Sequence, residues 1–420
     1  MDTLVLFVSA ACAAFILVGL WGRENRRHQA RLDGLQVRVH VNGIRGKSSV
    51  TRLIAGALRE DGISTIAKTT GTAAVVIAAD GSEDPIERRA AASILEQIDV
   101  IERHVTPETQ ALVIECMALK PAYQEFAERK MVRSTIGVIT NVREDHQDVM
   151  GETLPEIARS LMNSCPTDGI LVTAEQDPEI LGVMRAEAER RNTRLIVVDI
   201  NAVSEAEADA FPYLSFRDNI AVALQVAALA GVPRDVAMRG MLSAAPDPGV
   251  TRLSRKLVGR KHVTWANLFA VNDRESTVST FGKIAAEAVG ATRVAILNNR
   301  ADRGRRVLQF ADIAARDLDV DYVITFGAYE RQATTRLLEN GFARERILNL
   351  GDDTSPSLEE ILTALQHIPG DELLLAGLVN IHTPQAELLI EYFEHGSHQP
   401  TPTHTPASFR RQAKLTFEAA

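Results

Sequence analysis

Gly43, Gly46, Lys47 and Ser48 have the types and the spacing needed to hold a nucleoside triphosphate. Two glycines let a loop turn tightly and bring backbone N–H groups against phosphate oxygens. A helix starting near Lys47 would aim the positive end of its dipole at the same anion. The Lys47 ammonium can neutralise outer phosphates and the Ser48 hydroxyl can join a Mg²⁺ shell, with Asn42, Arg45 and Ser49 completing the lining. The longer phosphate-loop pattern would want glycine at position 41, where Val41 stands, so this is the shorter G-x-x-G-K-S-S form.

Three more constellations close predicted strands, where an open α/β sheet gathers its ligands. Glu115 ends the run Ala-Leu-Val-Ile-Glu. A carboxylate there is costly to bury alone and needs either a divalent cation or an ordinary ion pair with Lys120 or an arginine. Asn141, Asp145, His146 and Asp148 crowd the next strand end, as a metal with its waters or a polar surface turn would require. Further on, Phe269-Ala-Val-Asn-Asp273 and Asn298-Asn-Arg-Ala-Asp-Arg-Gly304 each follow a strand. They read as solvated loops or as a second polar lining in which Asp302 and Arg303 contact the nucleotide or the reacting phosphate.

The elements that must position these groups alternate along the chain. Val37–Val41 reads as a strand, and Val50, Leu53, Ile54, Ala57 and Leu58 repeat at helical spacing before Gly62. Strands are predicted over 63–67, 111–115, 135–140, 170–173 and 195–200, with helices over 87–103, 179–190 and 219–229. Pro246-Asp-Pro-Gly-Val-Thr breaks this pattern, and a second strand–helix series follows at 262–266, 293–297, 321–325, 346–350 and 372–376. The expected fold is α/β: a P-loop-type open parallel sheet ATPase domain over 23–250 and a smaller Rossmann-like α/β domain over 251–396. The tail 397–420 lacks an apolar period and is expected to be disordered.

At 420 residues and 45% hydrophobic content the chain can bury two cores. A net charge of −9, with no basic stripe interleaved with aromatics, excludes a general nucleic-acid binder. Three cysteines, scattered, exclude a disulfide framework or a zinc site. Residues 1–22 are expected to form one N-terminal transmembrane helix. Thr3–Gly22 carries no charge, and Arg23, Arg26, Arg27 and Arg31 follow it, so the catalytic domains of this single-pass cell-membrane protein would be cytoplasmic.

These features together resemble the Mur ligase superfamily of ATP-dependent amide-forming enzymes, from about Leu35 to Phe393. Its phosphate loop is similar to Gly43-Ile-Arg-Gly-Lys-Ser-Ser49, its magnesium-binding glutamate to Glu115, and its T-N-x-x-x-D-H-x-D segment to Thr140–Asp148. The resemblance makes Asn219 the adenine-side asparagine, His146 a ligand of a second metal, and Asp302–Arg303 the D-R pair of the last domain. Within the superfamily, Lys-Thr-Thr-Gly-Thr72, Glu-Cys-Met-Ala-Leu-Lys-Pro121 and Phe-Ala-Val-Asn-Asp-Arg-Glu-Ser resemble the ligase subunits of capsule-type poly-γ-glutamate synthases. The carbamylated lysine that bridges two metals in many Mur ligases has no counterpart, since no lysine lies between Lys130 and Lys256.

The resemblance implies ATP and Mg²⁺ as cofactors, glutamate and the growing polymer as substrates, small hydrophobic membrane subunits as partners, and a homo-oligomer. A glutamate carboxylate would attack the γ-phosphate to give an acyl phosphate, which the amine of another glutamate converts to an amide. Arg252 and Arg303 are candidates to add positive charge there; the acid–base group is not identifiable, with Asp273 the only suggestion. The alternatives are a folylpolyglutamate-type ligase on a soluble acceptor and a membrane-tethered ATPase coupled to polymer export.

Overall fold

The computed structural model describes residues 2–395 apart from 71–73, 89–91, 248–250, 252, 272, 352–354 and 382. The chain forms two compact units. The first runs to Leu253 and takes in Ala270–Lys283; the second comprises Ser254–Phe269 and the chain from Ile284 onward.

In the first unit, the strands are β1 (Val37–Asn42), β2 (Thr65–Thr69), β3 (Val75–Ile77), β4 (Glu83–Pro85), β5 (Ala111–Glu115), β6 (Ile136–Ile139), β7 (Ile170–Thr173) and β8 (Arg194–Val197). They form one eight-stranded sheet in the order β4-β3-β2-β5-β1-β6-β7-β8. Pairing is parallel except along the β2–β3–β4 edge. The central strand β5 is buried along its whole length, which its uninterrupted aliphatic sequence requires once both faces are covered.

Helix α2 (Lys47–Glu60) covers one face with Val50, Leu53, Ile54, Ala57 and Leu58 in the core, and it packs against the helices Arg217–Leu229 and Arg234–Ser243. At that crossing Gly56 and Gly240 meet backbone to backbone: a Cβ on Gly240 would sit 2.3 Å from the Gly56 carbonyl oxygen. The opposite face carries Ile66, Leu112 and Ile114 under Val100 and Ile101 of helix α3 (Glu96–His104) and under Met131 and Val132.

Two predicted elements shift. The strand expected over 63–67 lies at Thr65–Thr69, where Thr65 aligns with Ala111 of β5. The helix expected over 87–103 is the shorter α3; just ahead of that window the chain is still held by the sheet, since β4 ends at Pro85 and the Ile86 N–H donates to the Ala74 carbonyl at 2.9 Å.

The N-terminal transmembrane helix, and with it the single-pass cell-membrane placement, is not supported. Among the described residues no helix is long and apolar enough to cross a membrane. Helix α1 runs from Asp2 to Asp33 without a break through Arg23, Glu24, Arg26 and Arg27. The end of α1 is instead part of the first unit. Leu32 is buried, and His28 Nε2 hydrogen-bonds the Met131 carbonyl at 2.9 Å.

The second unit holds β9 (Leu253–Val258), β10 (Lys261–Asn267), β11 (Thr292–Asn299), β12 (Tyr322–Gly327), β13 (Ile347–Asn349) and β14 (Glu372–Leu378). Their order is β13-β12-β11-β14-β10-β9, parallel from β13 through β10. Trp265, Phe269, Phe326 and Phe393 anchor its core. The expected disordered tail, 397–420, lies outside the described residues.

Candidate active site

The phosphate loop joins β1 to α2. Gly43 (φ 126°) and Gly46 (φ 79°) adopt positive φ, the second at the N-cap of α2. Both positions are also sterically closed. A Cβ on Gly43 would meet Thr140 Oγ1, and one on Gly46 would sit 2.5 Å from Asn219 Oδ1. Asn219, in the first turn of its helix, therefore presses its amide directly against the loop.

Lys47 folds back over the loop and donates to the carbonyls of Gly43 at 2.7 Å and Ile44 at 3.2 Å. Burial pulls its pKa below the ordinary lysine value, and Glu115 opposes that shift. An ammonium held only by carbonyl oxygens is one that an entering phosphate can recruit. Ser48 Oγ donates to Glu115 Oε2 at 2.8 Å, and the Thr70 N–H donates to the same oxygen at 2.7 Å. Glu115 is 2% exposed. Neither Lys120 nor an arginine is its partner among the described residues.

Arg45 anchors the loop on two sides: Nη2 to Asp145 Oδ2 and Nε to Asp273 Oδ2, both at 2.7 Å. Its carbonyl accepts from Thr140 Oγ1 and Asn141 Nδ2. Asp273 is committed twice, since its Oδ1 also accepts the Ser276 N–H at the start of the helix Arg274–Glu287. His146 stands at positive φ (52°) beside Asp145, its Nε2 3.8 Å from Asp145 Oδ2. Burial lowers its pKa, which favours the neutral, ligating imidazole.

These groups open onto a cleft of ≈ 340 Å³ inside the first unit. Gly46, Lys47, Ser48, Ser49 and Glu115 form its phosphate end, and Tyr213, Leu214 and Phe216 form an apolar wall alongside Asp218 and Asn219. Burial pushes the Asp218 carboxyl above its usual range. Sequence reasoning missed this wall, as well as Arg143, which pairs with Glu175 and Glu275. The aromatic pair just before Asn219 was the available signal.

Asn42 does not face the cleft. Its amide is turned inward to Gln124 Oε1 at 3.0 Å and Ser164 Oγ at 2.9 Å, and its oxygen accepts the Gly43 N–H. Asp302 and Arg303 belong to the second unit, on a short turn after β11, where Arg300 pairs with Asp302 at 2.9 Å. Arg252 lies outside the described residues.

Residues 41–229 match the Mur ligase middle domain and residues 253–396 the poly-gamma-glutamate synthase CapB C-terminal domain. A phosphate loop, a strand-end carboxylate and a second α/β unit in this combination define an ATP-dependent amide ligase of the Mur type. The chain is 38% identical to the capsule biosynthesis protein CapB of Bacillus anthracis, over 92% of this chain and 82% of that protein. It is 36% identical to the PGA synthase CapB of Bacillus subtilis (strain 168), over 91% of this chain and 95% of that protein. The chain therefore belongs to the CapB poly-γ-glutamate synthase family, ATP-dependent ligases that make poly-γ-glutamate. Its fold is similar to that of E. coli FolC, solved with DHPP and ADP, at a TM-score of 0.60 and 15% identity, covering 87% of this chain and 91% of that one.

The donor set beside the loop suits Mg²⁺. Ser48 and Glu115 offer two hard oxygens aimed at each other, and no group of three His, Cys, Asp or Glu among the described residues could cage a metal. Mg²⁺ is held in this way, by one or two protein oxygens with phosphates and waters supplying the rest.

Proposed function

We propose that this poly-γ-glutamate ligase activates the γ-carboxyl of glutamate as an acyl phosphate in the cleft beside Lys47 and Glu115. The Ser48–Glu115 hydrogen bond at the head of α2 carries this reading. Lys47 and the N–H groups around Gly46 hold the triphosphate, and Asn219 with the Tyr213–Phe216 wall receives the base. Ser48 and Glu115 would hold Mg²⁺, whose charge lets a carboxylate approach a triphosphate.

The carboxylate oxygen attacks the γ-phosphorus and ADP leaves. The amine of a second glutamate then attacks the acyl carbon, phosphate departs, and the amine proton goes to solvent or base. Positioning and charge stabilisation do most of this work. His146 is proposed to ligate a second cation, Arg252 and Arg303 to add positive charge, and Asp302 with Arg303 to contact the nucleotide or the reacting phosphate. Small hydrophobic membrane subunits and self-association belong to the same proposal and rest on the family resemblance alone.

Hydroxylamine added during turnover tests it. A hydroxamate that requires both glutamate and ATP is the expected product. Phosphate release indifferent to any amino acid would reject the ligase chemistry.

A further inference from the structure

Lys68 is completely buried on β2, yet among the described residues its ammonium makes no short N–H···O bond. The described partners are Glu96 Oε2 at 3.6 Å and Met117 Sδ at 3.8 Å, both too long for a normal N–H···O bond. Glu96 is already held through both oxygens by Arg88, at 2.8 and 3.2 Å. The next residue on α3, Gln97, is also fully buried, and among the described residues neither its Nε2 nor its Oε1 has a hydrogen-bond partner. Burial lowers the Lys68 pKa, while Glu96 and Glu115 oppose the shift. A buried ammonium and a buried amide left unmatched both cost stability, and such groups call for an explanation.

We propose that Lys68 and Gln97 form a receptor for one unit of the γ-glutamyl chain. This deepens the poly-γ-glutamate reading and rests on it. Such a unit offers a carboxylate, which accepts from the ammonium and from Gln97 Nε2. It also offers an amide N–H, which donates to Gln97 Oε1; free glutamate has an ammonium there instead. Arg88 and Glu96 also line a cavity of ≈ 710 Å³, whose walls include Ser93, Arg103 and His104. Neither Lys68 nor Gln97 lines that cavity; Glu96, which does, is the side chain between it and the Lys68 ammonium, so the proposal requires the Arg88–Glu96 pair to swing aside. The receptor lies close to the chemistry. Thr70, which donates its N–H to Glu115, follows Lys68 by about 7 Å of strand.

The experiment uses Lys68→Met and Gln97→Leu in the full chain, with a short oligo-γ-glutamate primer and free glutamate as substrates. Calorimetry follows ADP binding and thermal melting follows folding. The KM for the primer should rise about ten- to hundredfold, the value of a charged hydrogen bond, with ADP affinity unchanged. The melting temperature of Lys68→Met should not fall, because methionine removes a buried charge while Glu96 keeps Arg88. An unchanged primer KM in both variants overturns the receptor, as does a rise confined to free glutamate. Loss of folding in Lys68→Met, with kinetics of Gln97→Leu like the parent, makes Lys68 a structural cation only. A parent enzyme that elongates no primer would instead sink the poly-γ-glutamate reading itself.

Discussion

The Ser48 hydroxyl donates to Glu115 Oε2 at 2.8 Å, tying the head of α2 to the end of the central strand β5. The same oxygen accepts the Thr70 N–H, so one carboxylate gathers three segments around the phosphate loop. Glu115→Gln keeps an acceptor for both donors and removes only the charge. We expect it to fold like the parent while turnover drops about a hundredfold or more, and Lys47→Ala to do the same. Phosphate release at saturating ATP and a melting curve check this. Full activity in either variant would contradict the roles assigned.

Arg45 bridges Asp145 and Asp273, two carboxylates whose side chains are 12% and 2% exposed. Truncating Arg45 to alanine strands both. A fully buried pair broken this way costs about 3–5 kcal/mol, and the partly exposed guanidinium reduces the expected loss to about 1–3 kcal/mol. Adding Asp273→Asn should recover part of it, because the stranded charge is then gone. Urea unfolding of the single and double variants measures the coupling, and strictly additive losses would mean the two residues do not interact.

The phosphate loop was legible because its chemistry sits in consecutive residues, where glycine spacing alone dictates the turn. Glu115 was legible for a related reason: a carboxylate closing a wholly aliphatic strand must find a partner there. The Arg45–Asp273 pair was not, since nothing local says that Ala270–Lys283 returns to the first unit after β10. The β3–β4 edge was missed because short antiparallel strands such as Glu83–Pro85 carry no apolar alternation. At the N-terminus, the uncharged run Thr3–Gly22 taken alone has the hydropathy of a membrane span. The structure continues that helix through a basic segment into the core at Leu32, and a hydropathy window cannot see where a helix ends.

The contact between Gly56 and Gly240 sets how closely α2 approaches its neighbour. A Cβ at either position would lie within 2.5 Å of the opposing carbonyl oxygen, and backbone cannot yield as a side chain does. Gly240→Ala should force the helices apart at a cost of about 1–3 kcal/mol. Because Lys47 and Ser48 open α2, weaker ADP binding should accompany the lost stability. Calorimetry after confirming the fold decides this. Unaltered melting would show that the crossing has slack.

His28 predicts a pH dependence remote from the cleft. It is 5% exposed, with Nε2 on the Met131 carbonyl and Nδ1 buried without a partner among the described residues. Burial lowers its pKa below 6.5, and nearby Arg31 adds to the shift while Glu102 opposes it. The folded state thus binds fewer protons than the unfolded chain between the lowered value and 6.5. The stabilising effect of neutral His28 is complete above pH 6.5 and is lost as the pH falls toward the folded value. Protonation would place a second N–H where nothing accepts it, at the point where α1 joins the first unit. The melting temperature should therefore fall on acidification below 6.5, and His28→Phe should flatten that slope. A variant whose melting follows the parent at every pH would remove His28 as the cause.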